Sequence, residues 1–421
     1  MNRSPLSVTH AAALALCLAA CAGPTLQEKA VMVTATAPNV VSYWNEVANQ
    51  AVNAAPLATG TAEEQRPAYH VDLATVHVAM YDAVSAIDGR YKPFAVMPKA
   101  PAAGASIDAA ASAAAYEVLR ALFPGRAAVL QAAYDSRIAT IAPGPARERG
   151  LALGREVAAA VVARRANDGR SVVLAPYVSD VAPGRFQSVG PTPLNRHVPF
   201  IRPFSLTRVD QFRPPPPPAP GSPVYEADLK ESQAGGGSVS SVRSAQQLEI
   251  ARFHTEPPGP YLTRNLGRFA ASTADAADAA RLMAFIYVVH ADAINACFEA
   301  KYHYETWRPR TAFNTTAGGV PWTPVLPTPN HPEYPAAHSC TSGGLGETLR
   351  LFYGTRQVSY RFDSQVTGTT RSYADTDALN IESRTARVYG GMHFGFSTTA
   401  GVELGTRVAQ WVGAHHFGPR E

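Results

Sequence analysis

Three short segments in the C-terminal half of the chain combine cations and histidines at spacings that suit a small anion. The first is KYHYETWRPR, residues 301–310, in which Lys301 and Arg308 lie seven residues apart among aromatic rings. Seven residues make nearly two turns of an α-helix, so both cations are predicted to project from one helix face. Two cations on a half-buried face repel each other unless an anion lies between them. The alternative is a pair of solvated surface charges.

The second segment is HPEYPAAHSCTSGG, residues 331–344. Pro335 precedes a predicted helix start, and the small residues Ala336 and Ala337 leave their N–H groups open to a ligand, which makes an anion nest. His338 then enters the site as a group that exchanges protons near neutral pH. The alternative is a helix cap or a core histidine.

The third segment is ARVYGGMHFGFS, residues 386–397, in which Arg387 precedes His393 by six residues. In an unbroken helix this spacing places the two side chains on different faces. The pair Gly390-Gly391 is predicted to break the helix and turn His393 back toward Arg387. The alternative is a loop histidine without a role.

Helical periodicity dominates the elements that must position these segments. Apolar residues make up 46% of the chain, with alanine the commonest, and charged residues 17%, which favours a packed helical protein. QVSYRFDSQV alternates polar and apolar residues and predicts a short strand or hairpin arm near 357–372. The predicted helices begin at about Val41 and cover 70–88, 103–122, 127–140, 145–166, a long run from 244 that Pro309 ends or bends, a helix after His338 to about Tyr353, and 376–389 and 398–414.

Residues 170–243 differ in composition from the rest. RPPPPPAPGSP, residues 213–223, is stiff and extended, while QAGGGSVSS, residues 233–241, is expected to be flexible. This part of the chain is therefore predicted to be a long wrapping connection that adds no element to the core.

The N-terminus has the order of charge and apolar residues that export signals have. Arg3 is followed by an apolar run too short to span a bilayer, and then by Cys21. Leu18-Ala19-Ala20-Cys21 resembles a bacterial lipobox, which implies a signal peptide over 1–20, lipid attachment at Cys21 and a tether over 21–40. The alternative is an ordinary secretory signal. Cys297 and Cys340 then remain as a disulfide or as two buried thiols, and the sequence leaves both open.

Two classes of site are disfavoured by the rest of the composition. The formal charge of +4 is mild and the basic residues are scattered, which does not favour nucleic-acid binding. The other histidines lack the tight spacing with cysteines or carboxylates that a zinc site needs. The histidine groups considered for zinc are His290 with Asp292, His70 with His77, and His415 with His416.

In order and content, the pattern Lys-x6-Arg-Pro, Pro-x-x-His, Arg-x5-His resembles the signature of the vanadium-dependent haloperoxidase and type-2 phosphatidic acid phosphatase superfamily. HVDLATVHVAMYDAVSAIDGRY, DAINACFEAKYHYETWRP, HPEYPAAHS and ARVYGGMHFGF are similar to stretches of its bacterial haloperoxidase-like branch. The resemblance implies an all-α fold with a helical-bundle core. We expect a single catalytic domain over 41–421, with four-helix-bundle-like halves at 41–169 and 244–421.

The resemblance also implies roles for the residues of the three segments. His393 would be the apical ligand of vanadate, or the nucleophile of a phosphatase, and His338 the acid-base group on the opposite face. Lys301 would also assist catalysis by polarising the bound oxidant. A trigonal-bipyramidal oxyanion is both bound vanadate and the transition state of phosphoryl transfer. The oxyanion-binding residues would be Lys301, Arg308 and Arg387, with the amides of Ala336 and Ala337.

Three positions depart from the family pattern. Ala336 replaces a serine, Ala386 replaces the serine before Arg387, and Ser397 replaces an aspartate four residues after the histidine. Ser383-Arg384 resembles the missing Ser-Arg pair, but five residues onward from it lies Gly390, so the register excludes it. Loss of the carboxylate that would orient His393 argues against phosphoryl transfer.

The sequence therefore predicts an exported, lipid-anchored enzyme on the periplasmic side of a bacterial membrane. It would use vanadate to oxidise halide with hydrogen peroxide, acting on halide or a small organic substrate, with His338 assisting proton removal. One alternative is an acid phosphatase with a phosphohistidine intermediate, and another is a non-catalytic lipoprotein that binds phosphate or vanadate. Halide preference cannot be read from the chain, and a homodimer is expected only because related proteins are often dimers.

Overall fold

The computed structural model describes residues 1, 29–34, 38–54, 68–99, 102–240, 242–316 and 321–420. Within these ranges the chain forms thirteen α-helices and one three-stranded sheet. The N-terminal helices are α1 (Val40–Asn53), α2 (Tyr69–Asp88), α3 (Ile107–Leu122), α4 (Ala127–Ala139) and α5 (Pro145–Arg165). The later helices are α6 (Pro223–Gly236), α7 (Ala245–Phe253), α8 (Pro258–Ala271), α9 (Ala276–Tyr304), α10 (Pro309–Thr316), α11 (Ala337–Tyr353), α12 (Ala378–Tyr389) and α13 (Gly395–His415). The strands are β1 (Val31–Met32), β2 (Val358–Ser364) and β3 (Thr369–Tyr373).

The all-α prediction is confirmed, and so is the single hairpin. β2 and β3 pair antiparallel, with Ser364 opposite Thr369, in the predicted region. β1 adds a short parallel pairing to β2 that the sequence had not indicated. The predicted signal peptide with Cys21, and most of the predicted tether, lie outside the described residues.

Helix α9 lies at the centre of the molecule. It packs on α2 on one side and on α11 and α13 on the other, so it joins the N-terminal and C-terminal helices in one core. By length and composition it is the one helix of the described residues that could cross a membrane, yet 94% of its most apolar window is buried inside the protein. Burial of this kind is what a central core helix requires, since its apolar surface faces other helices.

Glycines allow α11 and α13 to approach each other closely. A Cβ at Gly405 would lie 2.0 Å from the main-chain oxygen of Cys340, and a Cβ at Gly343 would lie 2.4 Å from that of Val402. Larger residues at these positions would separate the two helices. Because α11 begins beside His338 and α13 begins just after His393, this contact fixes the two histidines relative to each other.

Buried aspartates on the two central helices bind loop segments to the core. Asp82 on α2 accepts hydrogen bonds from the N–H groups of three successive residues, and Asp292 on α9 does the same. Three amide donors per carboxylate satisfy a charge that would otherwise be costly to bury. Asp292 is therefore occupied by backbone amides and does not pair with His290 in a zinc site. The residues bonded by Asp82 are Phe94, Ala95 and Val96, and those bonded by Asp292 are Phe204, Ser205 and Leu206.

The prediction that 170–243 is only a connection is wrong in its last part. Residues 223–236 form α6, which packs against α12 and α13. The glycines that suggested flexibility are buried, and a Cβ at Gly236 would lie 2.6 Å from Cα of Gly391. Glycine is selected here for close backbone approach, a requirement that the local sequence does not distinguish from flexibility.

The proline-rich part of the connection is held by hydroxyl groups from the core. Tyr304 donates to the main-chain oxygen of Pro214 at 2.6 Å, and Tyr334 donates to that of Pro215 at 2.8 Å. Extended polyproline has no internal hydrogen bonds, so its carbonyl oxygens are free to accept. Aromatic residues of the first and second segments thus fasten the connection beside the anion site.

Candidate active site

Lys301 lies in the last turn of α9, and its ammonium group is fully buried. Nζ donates to the main-chain oxygens of Pro332 and Glu333, both at 2.9 Å. An ammonium group has three donors, so these two bonds leave one N–H for a ligand.

Arg308 does not share a helix face with Lys301, so this part of the prediction is wrong. Helix α9 ends at Tyr304, Glu305 has a left-handed backbone with φ of 47°, and the next helix begins at Pro309. A residue before proline is disfavoured in the helical region, which separates Arg308 from both helices. The two cations still meet, because Arg308 binds the carbonyl of His331 next to the carbonyls that Lys301 binds.

The guanidinium of Arg308 bridges the second and third segments. Nε donates to the main-chain oxygen of His331 at 3.0 Å, and Nη1 donates to that of Met392 at 2.8 Å. Nη1 also lies 2.9 Å from Nε2 of His393, and Nη2 lies 3.1 Å from Nδ1 of His331. Arg308 is 1% exposed, so these bonds replace water around a buried charge.

Arg387 and His393 are brought together by a turn after α12, as the sequence predicted. Gly391 has φ of 75°, and the N–H of His393 donates back to the main-chain oxygen of Arg387 at 3.3 Å. Nη1 of Arg387 donates to the main-chain oxygen of His254 at 3.1 Å. Its Nε is buried without a hydrogen-bond partner among the described residues, which leaves a donor available in the site.

Glu333 supplies the carboxylate that His393 had been expected to lack. Its Oε1 lies 2.8 Å from Nδ1 of His393 and accepts the N–H of Phe394 at 3.0 Å. An ionised Glu333 holds the proton on Nδ1 and leaves the lone pair on Nε2, the state that a metal ligand or a nucleophile needs. The argument that Ser397 removes an orienting carboxylate is therefore wrong, because the carboxylate comes from the second segment.

His338 lies in the first turn of α11 and lines the same cavity as His393. It is half-buried, and burial together with Arg387 holds its pKa well below the usual value, with the main-chain oxygen of His254 acting in the other direction. A neutral imidazole can accept a proton near neutral pH.

The prediction that the N–H groups of Ala336 and Ala337 are both open to an anion is wrong for Ala336. The N–H of Ala336 donates to the main-chain oxygen of Ser397 at 3.0 Å, so it is not available to an anion. Ala337 lines the cavity described below, at the first position of α11, where a helix amide has no intrahelical acceptor. The hydrogen bond to Ser397 forms because α13 packs against α11, and the local sequence around Ala336 does not indicate that packing.

The three cations form a buried positive cluster, and the nearby Glu333 carboxylate offsets part of the charge of Lys301 and Arg308. No salt bridge joins Lys301, Arg308 or Arg387 to an acidic group in the part of the chain that the structure describes. Burial lowers the pKa of Lys301 to about 8, that of Arg308 to about 10 and that of Arg387 to about 9, and Arg308 further lowers the pKa of the other two. A bound anion would remove this electrostatic cost, so the donor set fits an oxyanion such as vanadate or phosphate.

A cavity of about 190 Å³ opens in front of this cluster. Arg387, His393 and His338 line it, while Lys301 and Arg308 lie behind its wall. Seven of the twelve histidines of the chain face the cavity, and burial lowers the pKa of those whose shift is resolved, so they are neutral acceptors and donors. These histidines are His70, His197, His254, His290, His331, His338 and His393.

Sequence reasoning missed Glu333, His331, His254 and Ser383. Glu333 and His331 stand inside the second segment, so a search of that segment for any carboxylate or imidazole would have found them. Ser383 and His254 line the cavity. Ser383 had been considered only as part of the pair with Arg384, and nothing in the local sequence marks His254. The register argument against Arg384 agrees with the structure, because Arg384 pairs with Glu231 at 2.8 Å on the surface.

Neither a disulfide nor a divalent metal site is found. Cys297 and Cys340 are buried free thiols, which resolves the choice that the sequence left open. Within the described ranges, no group of three or more His, Cys, Asp or Glu residues could hold a metal ion.

The comparisons with known proteins match the superfamily that the three segments indicated. Residues 281–418 match the family model of the VCPO second helical-bundle domain. The fold is similar to that of a bacterial vanadium-dependent iodoperoxidase, at 24% identity and a TM-score of 0.73, over 91% of this chain and 97% of that one. It is also similar to a holo-type bacterial vanadium-dependent chloroperoxidase, at 14% identity and a TM-score of 0.67, over 90% and 97% of the two chains. The apo-type chloroperoxidase gives 15% identity and a TM-score of 0.64, over 82% and 93%.

The chain thus has the helical-bundle fold of the bacterial vanadium haloperoxidases. Residues 281–418 resemble the second helical-bundle domain of that family, and the resemblance that the three segments indicated is confirmed. No curated protein matches the chain in sequence.

Proposed function

We propose that this protein is a vanadate-dependent haloperoxidase, which oxidises halide with hydrogen peroxide. The observation that carries the proposal is the buried cluster of Lys301, Arg308 and Arg387 around His393, on a fold shared with vanadium haloperoxidases. Three cations that form no salt bridge among the described residues match the charge of an oxyanion, and the Nδ1 bond to Glu333 leaves Nε2 of His393 without a proton, as a ligand requires.

Each residue has a defined task in this proposal. Lys301, Arg308 and Arg387 would hold the oxygens of vanadate, and Nε2 of His393 would bind its metal. When bound, vanadate supplies a Lewis acid that activates hydrogen peroxide toward halide without a change in its oxidation state. His338, neutral and open to the cavity, would accept the proton that hydrogen peroxide loses.

A second candidate is an acid phosphatase with the same residues. The pairing of Glu333 with His393 favours it, because an oriented histidine whose Nε2 carries no proton is also a nucleophile for phosphoryl transfer. His338 would then protonate the leaving group. We place this candidate second because the compared structures are haloperoxidases.

The test is iodide oxidation by the mature protein with hydrogen peroxide, before and after vanadate loading, with phosphate as competitor. We expect triiodide to form only after loading and phosphate to suppress it. Bromide is then tested in the same way. Hydrolysis of 4-nitrophenyl phosphate by the unloaded protein, without halide oxidation after loading, would favour the phosphatase. Vanadate binding without either turnover would favour the non-catalytic binder.

We also propose that the protein is exported and anchored by a lipid at Cys21, on the periplasmic side of the membrane. The support is the sequence before Cys21, which resembles a lipobox. Replacement of Cys21 by Ser should move the protein from the membrane fraction to the soluble periplasm, and an unchanged distribution would contradict the anchor.

A further inference from the structure

The cavity in front of the anion site is larger than an oxyanion needs. An engineered apolar cavity of about 150 Å³ holds benzene, and this one measures about 190 Å³. Asn195 and Pro258 belong to its lining and are exposed, so the cavity reaches the surface beside the connection. There is room for a small organic ring next to the anion.

Away from the cations, the cavity wall is apolar. Its side chains come from helices α8, α9, α11 and α12 and from strand β2, and most of them are buried. We call this wall the apolar arm. Its residues are Leu262, Leu266, Ile286, Leu345, Phe362 and Leu379.

His254 lines the cavity and also contacts the anion site through Arg387. The ring of His254 lies 5.9 Å from that of Tyr261, and the main-chain oxygen of His254 accepts Nη1 of Arg387 at 3.1 Å. His254 is 5% exposed and lines the cavity. It is therefore a polar group of the cavity that lies next to a cation of the anion site.

Glu382 fixes which nitrogen of His254 faces the cavity. Nε2 of His254 lies 2.9 Å from Oε1 of Glu382, and that carboxylate also accepts Tyr373 Oη at 2.7 Å and Arg371 Nε at 2.6 Å. Burial works to raise the pKa of Glu382, but hydrogen bonds from His254, Tyr373 and Arg371 outweigh it and hold that pKa below its usual value. Glu382 is thus ionised, Nε2 carries the proton, and Nδ1 is a hydrogen-bond acceptor.

Nδ1 of His254 has no hydrogen-bond partner among the described residues and is not fully enclosed. Burial lowers the pKa of His254, so the ring is neutral and its lone pair is available. A ligand that combines a small apolar ring with one O–H donor would satisfy both the arm and this nitrogen.

We propose that the apolar arm is a binding site for a monocyclic phenol, whose hydroxyl group donates to Nδ1 of His254 beside the anion site. Halogenation of the bound ring rests on the proposed halide oxidation, whereas binding of the phenol does not require it. Hypohalous acid formed at the anion site would then meet an oriented ring. A carbon–halogen bond forms as the halogen–oxygen bond breaks, and the departing hydroxide takes the ring proton as water.

The experiment compares phenol with toluene, which has the same shape but no donor. Both are titrated by calorimetry into the full mature protein without vanadate. In a plain apolar cavity toluene binds at least as tightly as phenol, because it is the more hydrophobic ligand. We expect the reverse order, with phenol the tighter ligand.

Variants test the two parts of the site separately. His254→Phe should weaken phenol binding by about fivefold, the equivalent of one neutral hydrogen bond, and leave toluene binding unchanged. His77→Phe replaces a histidine that is buried outside the cavity and should leave the ratio of the two affinities unchanged. Leu266→Trp fills the apolar arm and keeps His254, so it should abolish binding of both ligands. This variant still tests the site if His254→Phe does not fold.

The proposal is overturned if toluene binds to the wild type as tightly as phenol, or if Leu266→Trp binds phenol normally. Its failure can be told apart from failure of the proposed function. Iodide oxidation without phenol binding would refute only the phenol site. Phenol binding in a protein that never oxidises halide would refute only the haloperoxidase.

Discussion

At the scale of single residues, His393 is the group on which both enzymatic functions depend. His393→Ala removes the only imidazole that Glu333 orients, so iodide oxidation and phosphatase activity should both fall to background. Vanadate affinity should fall only in part, because the three cations remain. The measurement is the initial rate together with vanadate binding by calorimetry. A variant that keeps the full rate would mean that His393 is not the reacting group.

Glu333 should act through His393 and not on the substrate itself. Glu333→Ala removes the acceptor that keeps Nε2 unprotonated, and loss of such a supporting group weakens metal sites by about 10- to 100-fold. Glu333→Gln keeps an oxygen at the same place and should retain more of the affinity. The check is vanadate binding by both variants, and equal losses in the two would contradict an orienting role.

The same carboxyl group predicts how stability depends on pH. Burial raises the pKa of Glu333 from 4.5 to about 7, although Arg308 and Lys301 oppose the shift. A raised pKa in the folded state contributes stability that is complete below pH 4.5 and is lost as the pH rises to about 7. The contribution is up to about 3 kcal/mol.

Thermal unfolding of the wild type and of Glu333→Gln between pH 4.5 and pH 8 measures this contribution. As the pH rises, the wild type should lose stability relative to Glu333→Gln. Asp82 also has a pKa raised to about 7 by burial, but it is present in both proteins and cancels. A difference that does not change with pH would show that Glu333 titrates normally.

At the scale of elements, the turn between α12 and α13 sets the position of His393. Gly391 has φ of 75°, and a Cβ there would lie 2.3 Å from the main-chain oxygen of Gly236. Gly391→Ala should therefore move α6 or the turn, and iodide oxidation should fall by at least about 10-fold, as misplaced catalytic groups commonly cause.

A matched control for that variant is Gly354→Ala. Gly354 also has a positive φ, of 71°, but a Cβ there meets nothing within 4 Å. It should cost about 1 kcal/mol of stability from the backbone strain alone and leave the rate unchanged. Equal rates for the two variants would show that the turn does not position His393.

The elements also explain the aromatic residues around Lys301 and Arg308. Tyr304 fastens the proline-rich connection, and Nε1 of Trp307 donates to Tyr225 Oη on α6 at 2.9 Å. Trp307 is 2% exposed, so it joins the connection to the core as packing and does not touch the cavity.

At the scale of the whole molecule, the buried cations should make stability depend on anions. The proposed site exists only in the folded chain, so vanadate or phosphate at 100 times its dissociation constant should add about 2.7 kcal/mol to the free energy of unfolding. Arg387→Met should remove most of this effect, because it deletes the cation that faces the cavity.

Arg384→Met is the control, three residues earlier on the same helix. Arg384 pairs with Glu231 at the surface and does not line the cavity, so the increase in Tm with vanadate should be retained. Thermal unfolding at rising vanadate concentration measures both variants. If Arg384→Met lost the increase as well, the anion would be bound by surface charge and not by the site.

Much of the molecule follows from local sequence patterns. The helical spacing of apolar residues predicted α2, α4 and α5 almost to the residue, because a helix is stabilised mainly by the face that it buries. The glycine pair after α12 predicted the turn that brings His393 back to Arg387, since a positive φ suits glycine best. The spacing of three segments also indicated the superfamily and its anion site.

Only the tertiary structure decided which groups serve that site. Glu333 orients His393 across 60 residues and Arg308 binds it across 85, and such pairs depend on how α9, α11 and α13 pack. In the same packing the N–H of Ala336 donates to the main-chain oxygen of Ser397, and the main-chain oxygen of His254 accepts Nη1 of Arg387. Sequence spacing determines local geometry because neighbouring backbone angles are coupled, whereas contacts between distant segments form only when buried surfaces fit together.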